Sequence, residues 1–303
     1  MQDAAFFQNW ALDIRRNRPD LQISGSPNRT LARSVLEDVS GKLYLLEQYD
    51  LRKKSAQTAQ NRILQFLQSR QLPGIHPALQ TQDGGHGITH DRSFWQLRPG
   101  GEADPLPRQT LGSDSRIAGI WSDILLKLKE FSLDPAMPPT AGERFTFTGY
   151  IRKLLPFTER RMPDLAGDLK EILQFLNPFL ERENTLPLMF AHGDFHPGNI
   201  LLQNNAVSAV IDWEFLGWKC AGYDLALLLG CLGMDDPDWL DGKAVRTLQD
   251  NLFLQNYMPE PVWQDLPDLM AAIRLGWFGE WVDLGDHATA KQEIAYIRFL
   301  LGK

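Results

Sequence analysis

The stretch AHGDFHPGNILL at residues 191–202, followed by VIDWEF at residues 210–215, decides the interpretation of this 303-residue chain. In the first stretch, Asp194 and Asn199 lie five residues apart, just ahead of an apolar run. In the second, an apolar run ends at Asp212. Carboxylate and amide oxygens in this arrangement suit a magnesium-assisted transfer of a phosphoryl group.

The two apolar runs predict a β-hairpin. Residues 200–202 and 209–211 have strand composition, and the asparagine pair at 204–205 is a turn signal. A hairpin brings its two open ends together, so Asn199 and Asp212 would lie side by side. We therefore expect these two residues to hold Mg²⁺, which prefers a few oxygen ligands from protein.

Four other residues around the hairpin have more than one interpretation. With the metal ligands assigned, Asp194 would orient or deprotonate an incoming hydroxyl. Glu214 shares a face with Asp212 if the segment is extended, and it is a further candidate ligand. His192 is a hydrogen-bonding residue rather than a base, and His196 is a loop residue that can lie near the substrate. A zinc site is disfavoured, because no Cys/His quartet has ligand spacing.

The ordered motifs resemble those of the aminoglycoside phosphotransferase and choline kinase family. HGDFHPGN at 192–199 resembles its catalytic loop, IDWE at 211–214 its metal-binding motif, and YDLA at 223–226 the start of its following helix. The resemblance implies that Asp224 braces the catalytic loop. It also implies an α+β fold of the protein-kinase-like, two-lobe kind and a Mg²⁺-dependent kinase that transfers phosphate from ATP to a small-molecule hydroxyl.

Composition favours a soluble cytoplasmic enzyme. The net charge of −7 argues against a broad nucleic-acid-binding surface. Cys220 and Cys231 do not suggest a disulfide framework. The first residues lack a signal-peptide pattern, and the longest aliphatic run, at 225–232, is too short to span a membrane. We expect no nucleic-acid or membrane partner, and the oligomeric state stays open.

The order of the predicted strands and helices along the chain indicates two lobes. Residues 1–98 would form a small lobe with an antiparallel sheet and a helix, and residues 108–303 a mainly helical lobe with the catalytic hairpin. The Pro/Gly-dense segment 99–107 is the expected connector. The elements expected in the small lobe are a helix near 3–17, strands near 31–38, 43–49, 75 and 94–98, and a helix at 53–70.

The resemblance also indicates where nucleotide would bind. By position, the loop 24–30 resembles a phosphate-covering loop, with Ser26 and Arg29 as candidates. An ordinary hairpin turn explains its sequence equally well, since it lacks a Gly-x-Gly-x-x-Gly pattern. In such folds adenine bonds to the backbone near the connector, in a cleft between the lobes. That makes Gln96, Leu97 and Arg98 the candidate neighbours of the base.

Two positions depart from the family pattern. Kinase-like enzymes usually carry a cation near the end of the third strand, paired to a Glu on the next helix. Here those positions hold Glu47 and Gln60. The candidate substitutes for that cation are Arg29, Arg52, Lys53 and Lys54. The departure motivates an alternative function: a catalytically impaired, nucleotide-binding regulatory module.

The remaining chain is expected to be helical. Apolar spacing predicts helices near 114–131, 145–157, 164–182, 222–233, 242–256 and 261–284, and a last one after 289. Trp277 and Trp281 would suit a cage for a cationic amine or a sugar. Their spacing of four is more typical of core packing, which is the better-supported interpretation. Phosphorylation of proteins is disfavoured, because no Ala-Pro-Glu segment follows Asp212.

Overall fold

The computed structural model describes residues 4–21, 30–101, 103–106, 108–139 and 145–302. The chain divides into two compact units. The sheet unit consists of Met1–Pro105, Ala136–Ala141 and Ile200–Ile211. The helical unit consists of Leu106–Pro135, Gly142–Asn199 and Asp212–Lys303. The hairpin at 200–211 thus groups with the sheet unit, whereas the sequence placed it in the helical lobe.

The sheet unit is built on five antiparallel strands in the order β1-β2-β3-β5-β4. The expected strands at 31–38, 43–49 and 94–98 are present, and the expected strand near 75 is absent from the described residues. A 16-residue helix follows the third strand, as the sequence predicted. The elements are α1 Ala4–Phe7, β1 Ile14–Asn17, β2 Ala32–Asp38, β3 Leu43–Asp50, α2 Lys54–Ser69, β4 Ile88–His90 and β5 Ser93–Pro99.

The helix expected at 3–17 is wrong beyond its first turn. α1 ends at Phe7, a single 3₁₀ turn follows, and Ala11 takes a left-handed conformation with φ 53°. The chain then becomes β1, which pairs with β2. Phe6, Phe7 and Trp10 pack in one cluster with apolar side chains of the sheet. Pairing and burial against distant residues therefore override the local helical pattern.

The two faces of this sheet differ in chemistry. Leu46 of β3 and Leu97 of β5 lie on the face covered by the N-terminal aromatic side chains. Because side chains alternate along a strand, Glu47 and Gln96 belong to the opposite face. α2 lies on that second face, where Lys54 approaches the ring of Phe94 with its Nζ 5.8 Å from the centroid. This polar face carries the charged residues analysed below.

The predicted hairpin is present as β7 Ile200–Gln203 and β8 Ala206–Val210. Asn204 and Asn205 form its turn with φ of 52° and 62°. Two positive φ values are what a tight hairpin turn requires, and asparagine tolerates them. The hairpin lies against Gly74 of its own unit: the backbone N–H of Val210 donates to the Gly74 carbonyl at 2.8 Å.

The helical unit contains eight α-helices among its described residues, together with one short pair of strands. β6 and β9 are antiparallel, and the sequence did not predict either of them. The expected helix at 261–284 is interrupted at Asp265, because Pro267 fits only in the first turn of a new helix. The elements are α3 Ser115–Ser132, α4 Phe147–Arg161, α5 Ala166–Arg182, β6 Leu188–Ala191, β9 Gly217–Cys220, α6 Tyr223–Asp235, α7 Lys243–Leu254, α8 Glu260–Gln264, α9 Leu266–Leu284 and α10 His287–Leu300.

α6 is the helix that matters most for the site. Its apolar residues 225–229 are all buried, so it has no solvated face and acts as a core element of its unit. The polar exception is Asp224 in its first turn, which is also buried. Among the described helices, none is long and apolar enough to cross a membrane.

Substitution of Gly74 tests the contact between the hairpin and the rest of the sheet unit. Gly74 has φ +72°, and a Cβ there would lie 2.7 Å from Val207 Cγ1. Gly41→Ala is the matched control, since Gly41 has φ +87° with nothing within 4 Å. We expect Gly41→Ala to lower the free energy of unfolding by about 1 kcal/mol, from backbone strain alone.

Gly74→Ala should lower the free energy of unfolding by about 1–3 kcal/mol more than the control, because the added methyl overlaps the hairpin. Urea denaturation of the two variants measures the difference. Equal losses in the two variants would contradict the proposed contact.

Candidate active site

The loop between β6 and β7 has a backbone that only glycine permits at its second position. Gly193 has φ +87°, and a Cβ there would lie 2.2 Å from the carbonyl oxygen of Phe215. The loop therefore touches the segment that follows Asp212, within the helical unit. A 3₁₀ turn at Pro197–Asn199 then ends the loop.

The carboxylate of Asp224 holds the start of this loop. Its Oδ2 accepts the backbone N–H of His192 at 2.7 Å, and its Oδ1 accepts that of Gly193 at 2.9 Å. Both oxygens are thus used by two successive amides. Burial raises the pKa of Asp224 to about 6, although the two N–H donors and the nearby Lys219 oppose that shift.

Asp194 and Asn199 meet at the other end of the loop. Asn199 Nδ2 donates to the backbone oxygen of Asp194 at 2.8 Å and to Asp194 Oδ2 at 3.1 Å. The amide oxygen of Asn199 therefore points away from Asp194. The side chain of Asp194 is 16% exposed, so its carboxylate remains accessible from solvent.

Two histidines fix the shape of the loop. His192 is fully buried, its Nδ1 accepts the backbone N–H of Asp194 at 3.1 Å, and its ring lies 4.3 Å from that of Trp213. His196 Nδ1 accepts the N–H of Gly198 at 3.1 Å, so its Nε2 carries the proton in the neutral form. That Nε2 lies 3.9 Å from Asp194 Oδ2. His192 is thus structural, while His196 lies beside the candidate base.

Asp212 stands immediately after the hairpin in a left-handed conformation, with φ 58° and ψ 52°. Such a backbone is costly for a residue with a side chain, and it is typical of functional positions. Although Asp212 precedes a 3₁₀ turn, its side chain does not cap that turn. The expectation that Asp212 and Glu214 share a strand face is wrong, because residues 213–215 form that turn. Glu214 is exposed.

The donors in these segments fit a magnesium ion in chemical type. Asn199 offers an amide oxygen, while Asp212 and Glu214 offer carboxylates; Mg²⁺ prefers such hard oxygen ligands. Within the described residues, no three His, Cys, Asp or Glu side chains come together as a metal-binding group. Mg²⁺ needs only a few ligands from the protein, because it usually completes its coordination shell with water and phosphate oxygens.

Lys219 of β9 is a site residue that sequence reasoning missed. It is 7% exposed, and its Nζ lies 5.2 Å from the ring centroid of Phe145 and 5.0 Å from that of Tyr223. Its Cε lies close enough to Gly193 to meet a Cβ placed there at 2.8 Å. Burial lowers the pKa of Lys219. The sequence signal was weak: one lysine in an otherwise apolar strand just before Asp224.

The nucleotide-binding candidates lie in the sheet unit or outside the described residues. Gln96, Leu97 and Arg98 are on β5, where the Leu97 carbonyl accepts the backbone N–H of Leu79 at 2.7 Å. The Gln96 side chain donates to the His86 carbonyl at 2.9 Å. Their role at the adenine stays a prediction. Ser26 and Arg29 lie outside the described residues.

The two tryptophans proposed for the acceptor lie on α9. One face of the Trp277 ring is covered by the guanidinium of Arg274, 4.6 Å from the ring centroid. Arg274 is itself paired with the buried carboxylate of Glu293. The indole nitrogen of Trp281 is buried and has no hydrogen-bond partner among the described residues. Trp277 therefore has a packing role, and acceptor binding by either residue stays a prediction.

Comparison with known proteins identifies a family match over most of the chain. The family model described as the phosphotransferase enzyme family matches residues 28–274. A homoserine kinase of Gluconobacter oxydans (strain 621H) is 27% identical over 144 residues. That match covers 46% of this chain and 46% of the homoserine kinase, so it spans about half of each protein.

Solved structures share the fold at low sequence identity. The microcompartment-associated aminopropanol kinase has a TM-score of 0.69 at 16% identity, covering 99% of this chain and 95% of its own. Amicoumacin kinase hAmiN, in complex with AMP-PNP, Ca²⁺ and Ami, has a TM-score of 0.65 at 13% identity, and the match covers 99% of this chain and 94% of the kinase. Aminoglycoside phosphotransferase APH(4)-Ia, with ADP and hygromycin B, has a TM-score of 0.68 at 15% identity, and the match covers 95% of this chain and 94% of the phosphotransferase. The kinase-like α+β fold predicted from the motifs is confirmed.

Substitution of Lys219 tests its coupling to Asp224. Burial raises the pKa of Asp224 from 3.8 to about 6 on folding. The folded state then binds this proton more tightly than the unfolded state does. The stability that the group contributes is complete below about pH 4 and is lost as the pH rises through about 6. Removing the cation in Lys219→Met should raise this pKa further and move the loss to higher pH.

The free energy of unfolding in urea, measured from roughly pH 5 to 8, follows this shift. The matched control is the same substitution in an Asp224→Asn background, where the shift between profiles should disappear. If wild type and Lys219→Met have the same pH profile, the two groups are not coupled.

Proposed function

This chain belongs to the phosphotransferase enzyme family, and from that premise we propose that it transfers the γ-phosphoryl group of ATP to a hydroxyl of a small molecule. The observation that carries the proposal is the pairing of Asp194 with Asn199 in a loop whose backbone is held by Asp224. Asp212 follows the hairpin in a strained conformation with its side chain not used for capping.

Asp194 is the catalytic carboxylate of the proposed reaction. The acceptor hydroxyl donates its hydrogen bond to Asp194, which orients the oxygen and takes its proton as the new P–O bond forms. The bond between the γ-phosphorus and the ADP oxygen breaks at the same time. The amide of Asn199 holds one carboxylate oxygen, and the N–H of His196 lies nearby. Asp194 is thereby fixed in one orientation, which favours reaction by positioning.

Asn199 and Asp212 would hold Mg²⁺ through an amide oxygen and a carboxylate, with Glu214 as a further ligand. When bound, the ion neutralises negative charge on the transferring phosphates. Asn199 serves two roles in this arrangement, because its nitrogen orients Asp194 while its oxygen faces the opposite way. Asp224 and His192 act on the loop backbone and hold these groups in place.

The acceptor class we propose is an amino alcohol, a sugar or an aminoglycoside-like compound. The relatives named above include a homoserine kinase and an aminopropanol kinase, whose substrates by name carry both an amine and a hydroxyl. Another is an aminoglycoside phosphotransferase bound to hygromycin B. We place the enzyme in the cytoplasm, where ATP is available.

Glu47 favours a second candidate function, a nucleotide-binding module without turnover. A carboxylate stands where kinase-like enzymes usually carry the phosphate-binding cation. The two candidates differ in one measurable property, which is ADP release that depends on an acceptor.

The acceptor panel tests the proposed function. The protein is incubated with MgATP and homoserine, aminopropanol, choline, simple sugars or aminoglycosides, and ADP release is measured. We expect one class to stimulate release. Asp194→Asn should lower that rate by about 10²–10⁴-fold, because the base is lost, with MgATP binding retained. The control is Asp123→Asn, at an exposed position of α3. If no acceptor stimulates ADP release while MgATP still binds, the regulatory-module candidate is the better one.

Asp212→Asn tests the metal role without disturbing the backbone. Asparagine tolerates the left-handed conformation, so the variant should unfold at nearly the same temperature as wild type. Loss of the negative charge should raise the Mg²⁺ concentration needed for half-maximal turnover by about tenfold or more. A magnesium titration of the initial rate measures this change, with Asn205→Asp in the hairpin turn as a left-handed control. An unchanged requirement for Mg²⁺ would remove Asp212 from the metal site.

A further inference from the structure

The ammonium of Lys219 is buried and has no hydrogen-bond acceptor among the residues that the structure describes. Its Nζ lies against two aromatic rings, those of Phe145 and Tyr223. Ring faces attract a cation, but they leave its three N–H groups without an oxygen partner. Because buried polar groups are nearly always hydrogen-bonded, an ammonium in this position requires an explanation.

The nearby carboxylate of Asp224 explains the charge of Lys219 but not its hydrogen-bond donors. Burial lowers the pKa of Lys219, and the negative charge of Asp224 opposes that shift. Both oxygens of Asp224, however, accept backbone N–H groups of the catalytic loop, at 2.7 Å and 2.9 Å. Asp224 therefore acts on Lys219 through its field, while the N–H groups of the ammonium remain to be satisfied.

Lys219 lies beside the candidate base. A Cβ on Gly193 would lie 2.8 Å from Lys219 Cε, and Gly193 immediately precedes Asp194. Burial is the main cause of the raised pKa of Tyr223, and the charge of Asp194 adds to it, so Asp194 is within electrostatic range of the same ring that covers the ammonium. All of these residues belong to the helical unit. A molecule whose hydroxyl reaches Asp194 would therefore have other groups near Lys219.

The aromatic walls around the ammonium are fixed by packing. The ring of Phe147 stacks on that of Tyr223 with centroids 5.9 Å apart, and the edge of Phe145 meets Tyr223 at 6.0 Å. The buried carboxylate of Glu183 accepts the backbone N–H of Phe147 at 2.6 Å, which holds the start of α4 in place. Rigid apolar walls keep water away and strengthen the attraction between the ammonium and an anion.

We propose that Lys219 binds a carboxylate of the acceptor, so that the preferred acceptor is a small alcohol that also carries a carboxylate, such as a hydroxy amino acid. The inference rests on the proposed function, because it takes Asp194 as the residue that receives the acceptor hydroxyl. It makes Lys219 a specificity-determining residue and narrows the proposed acceptors to those with an anionic group.

The charges around the site favour a carboxylate over other anions. One ammonium matches the single negative charge of a carboxylate, whereas Asp194 and Asp224 would repel the second charge of a phosphate ester. An acceptor without an anion would leave the buried N–H groups unpaired. A site that loses a hydrogen bond in this way discriminates strongly against the poorer acceptor.

Two acceptors that differ only in the carboxylate test the assignment. Homoserine and 3-amino-1-propanol share the amine, the hydroxyl and the chain between them, and serine with ethanolamine is a second pair of the same kind. The values of kcat and KM with saturating MgATP are measured for wild type, Lys219→Met and the control Lys243→Met, whose lysine is exposed at the start of α7.

We expect wild type to prefer the carboxylate-bearing member of at least one pair by about 10–100-fold in kcat/KM, the usual effect of a charge-assisted contact. Lys219→Met should remove this preference by raising the KM of the carboxylate-bearing acceptor, while Lys243→Met should keep it. Comparing two acceptors within one variant cancels any effect of Lys219 on the pKa of Asp224.

Three outcomes would overturn the assignment. They are the absence of a preference in both pairs for wild type, an unchanged preference in Lys219→Met, and an equal loss for both members of a pair, which indicates a structural role. If Lys219→Met does not fold, Lys219→Arg keeps the charge at a different reach and should change the KM of the carboxylate-bearing acceptor by the larger factor. Equal changes for both members would again reject the assignment.

Direct binding separates this assignment from the proposed function. Calorimetry with homoserine and with serine, in the presence of MgADP, needs no turnover. Turnover of acceptors without a preference for a carboxylate supports the kinase proposal and rejects the role of Lys219 alone. Binding of homoserine or serine that depends on Lys219, with no ADP release on any acceptor, supports the role of Lys219 and rejects the kinase proposal. A wild type that neither binds these two compounds nor turns over any acceptor rejects both.

Discussion

The buried carboxylate of Asp224 is the contact on which the catalytic loop depends. Two successive backbone amides end on its two oxygens, so the loop begins in one fixed direction. A buried charge is costly unless it is fully hydrogen-bonded and balanced. Here the first turn of α6 places the carboxylate near the positive end of the helix dipole. Lys219 adds a cation nearby. The buried Asp224 therefore lowers the free energy of unfolding at neutral pH, while its hydrogen bonds make the loop rigid.

The contacts that fix the start of the loop also fix its backbone as far as Asp194. Gly193 lets the chain approach the 213–215 turn more closely than any side chain would permit. The buried ring of His192 then fixes the amide of Asp194 and rests on Trp213. With its backbone fixed on both sides, Asp194 needs only the amide of Asn199 to set its carboxylate. Such preorganisation is what positioning and electrostatic catalysis require.

The parts of this structure that the sequence predicted are those with local causes. The hairpin follows from a strand–turn–strand pattern within a dozen residues, and the long helices follow from apolar periodicity. The missed parts depend on distant partners. Residues 14–17 became a strand because they pair with β2. Lys219 lies beside the ring of Phe145 and beside Gly193, and both residues are distant from it in the sequence.

Glu47 lies between these two cases. The sequence identified it as a departure from the family pattern, but it gave no way to find Arg33 and Arg98, which are 14 and 51 residues away. Only strand register brings them together. Glu47 therefore appeared as a carboxylate that would repel phosphate, whereas in the folded sheet it is the anchor of two cations.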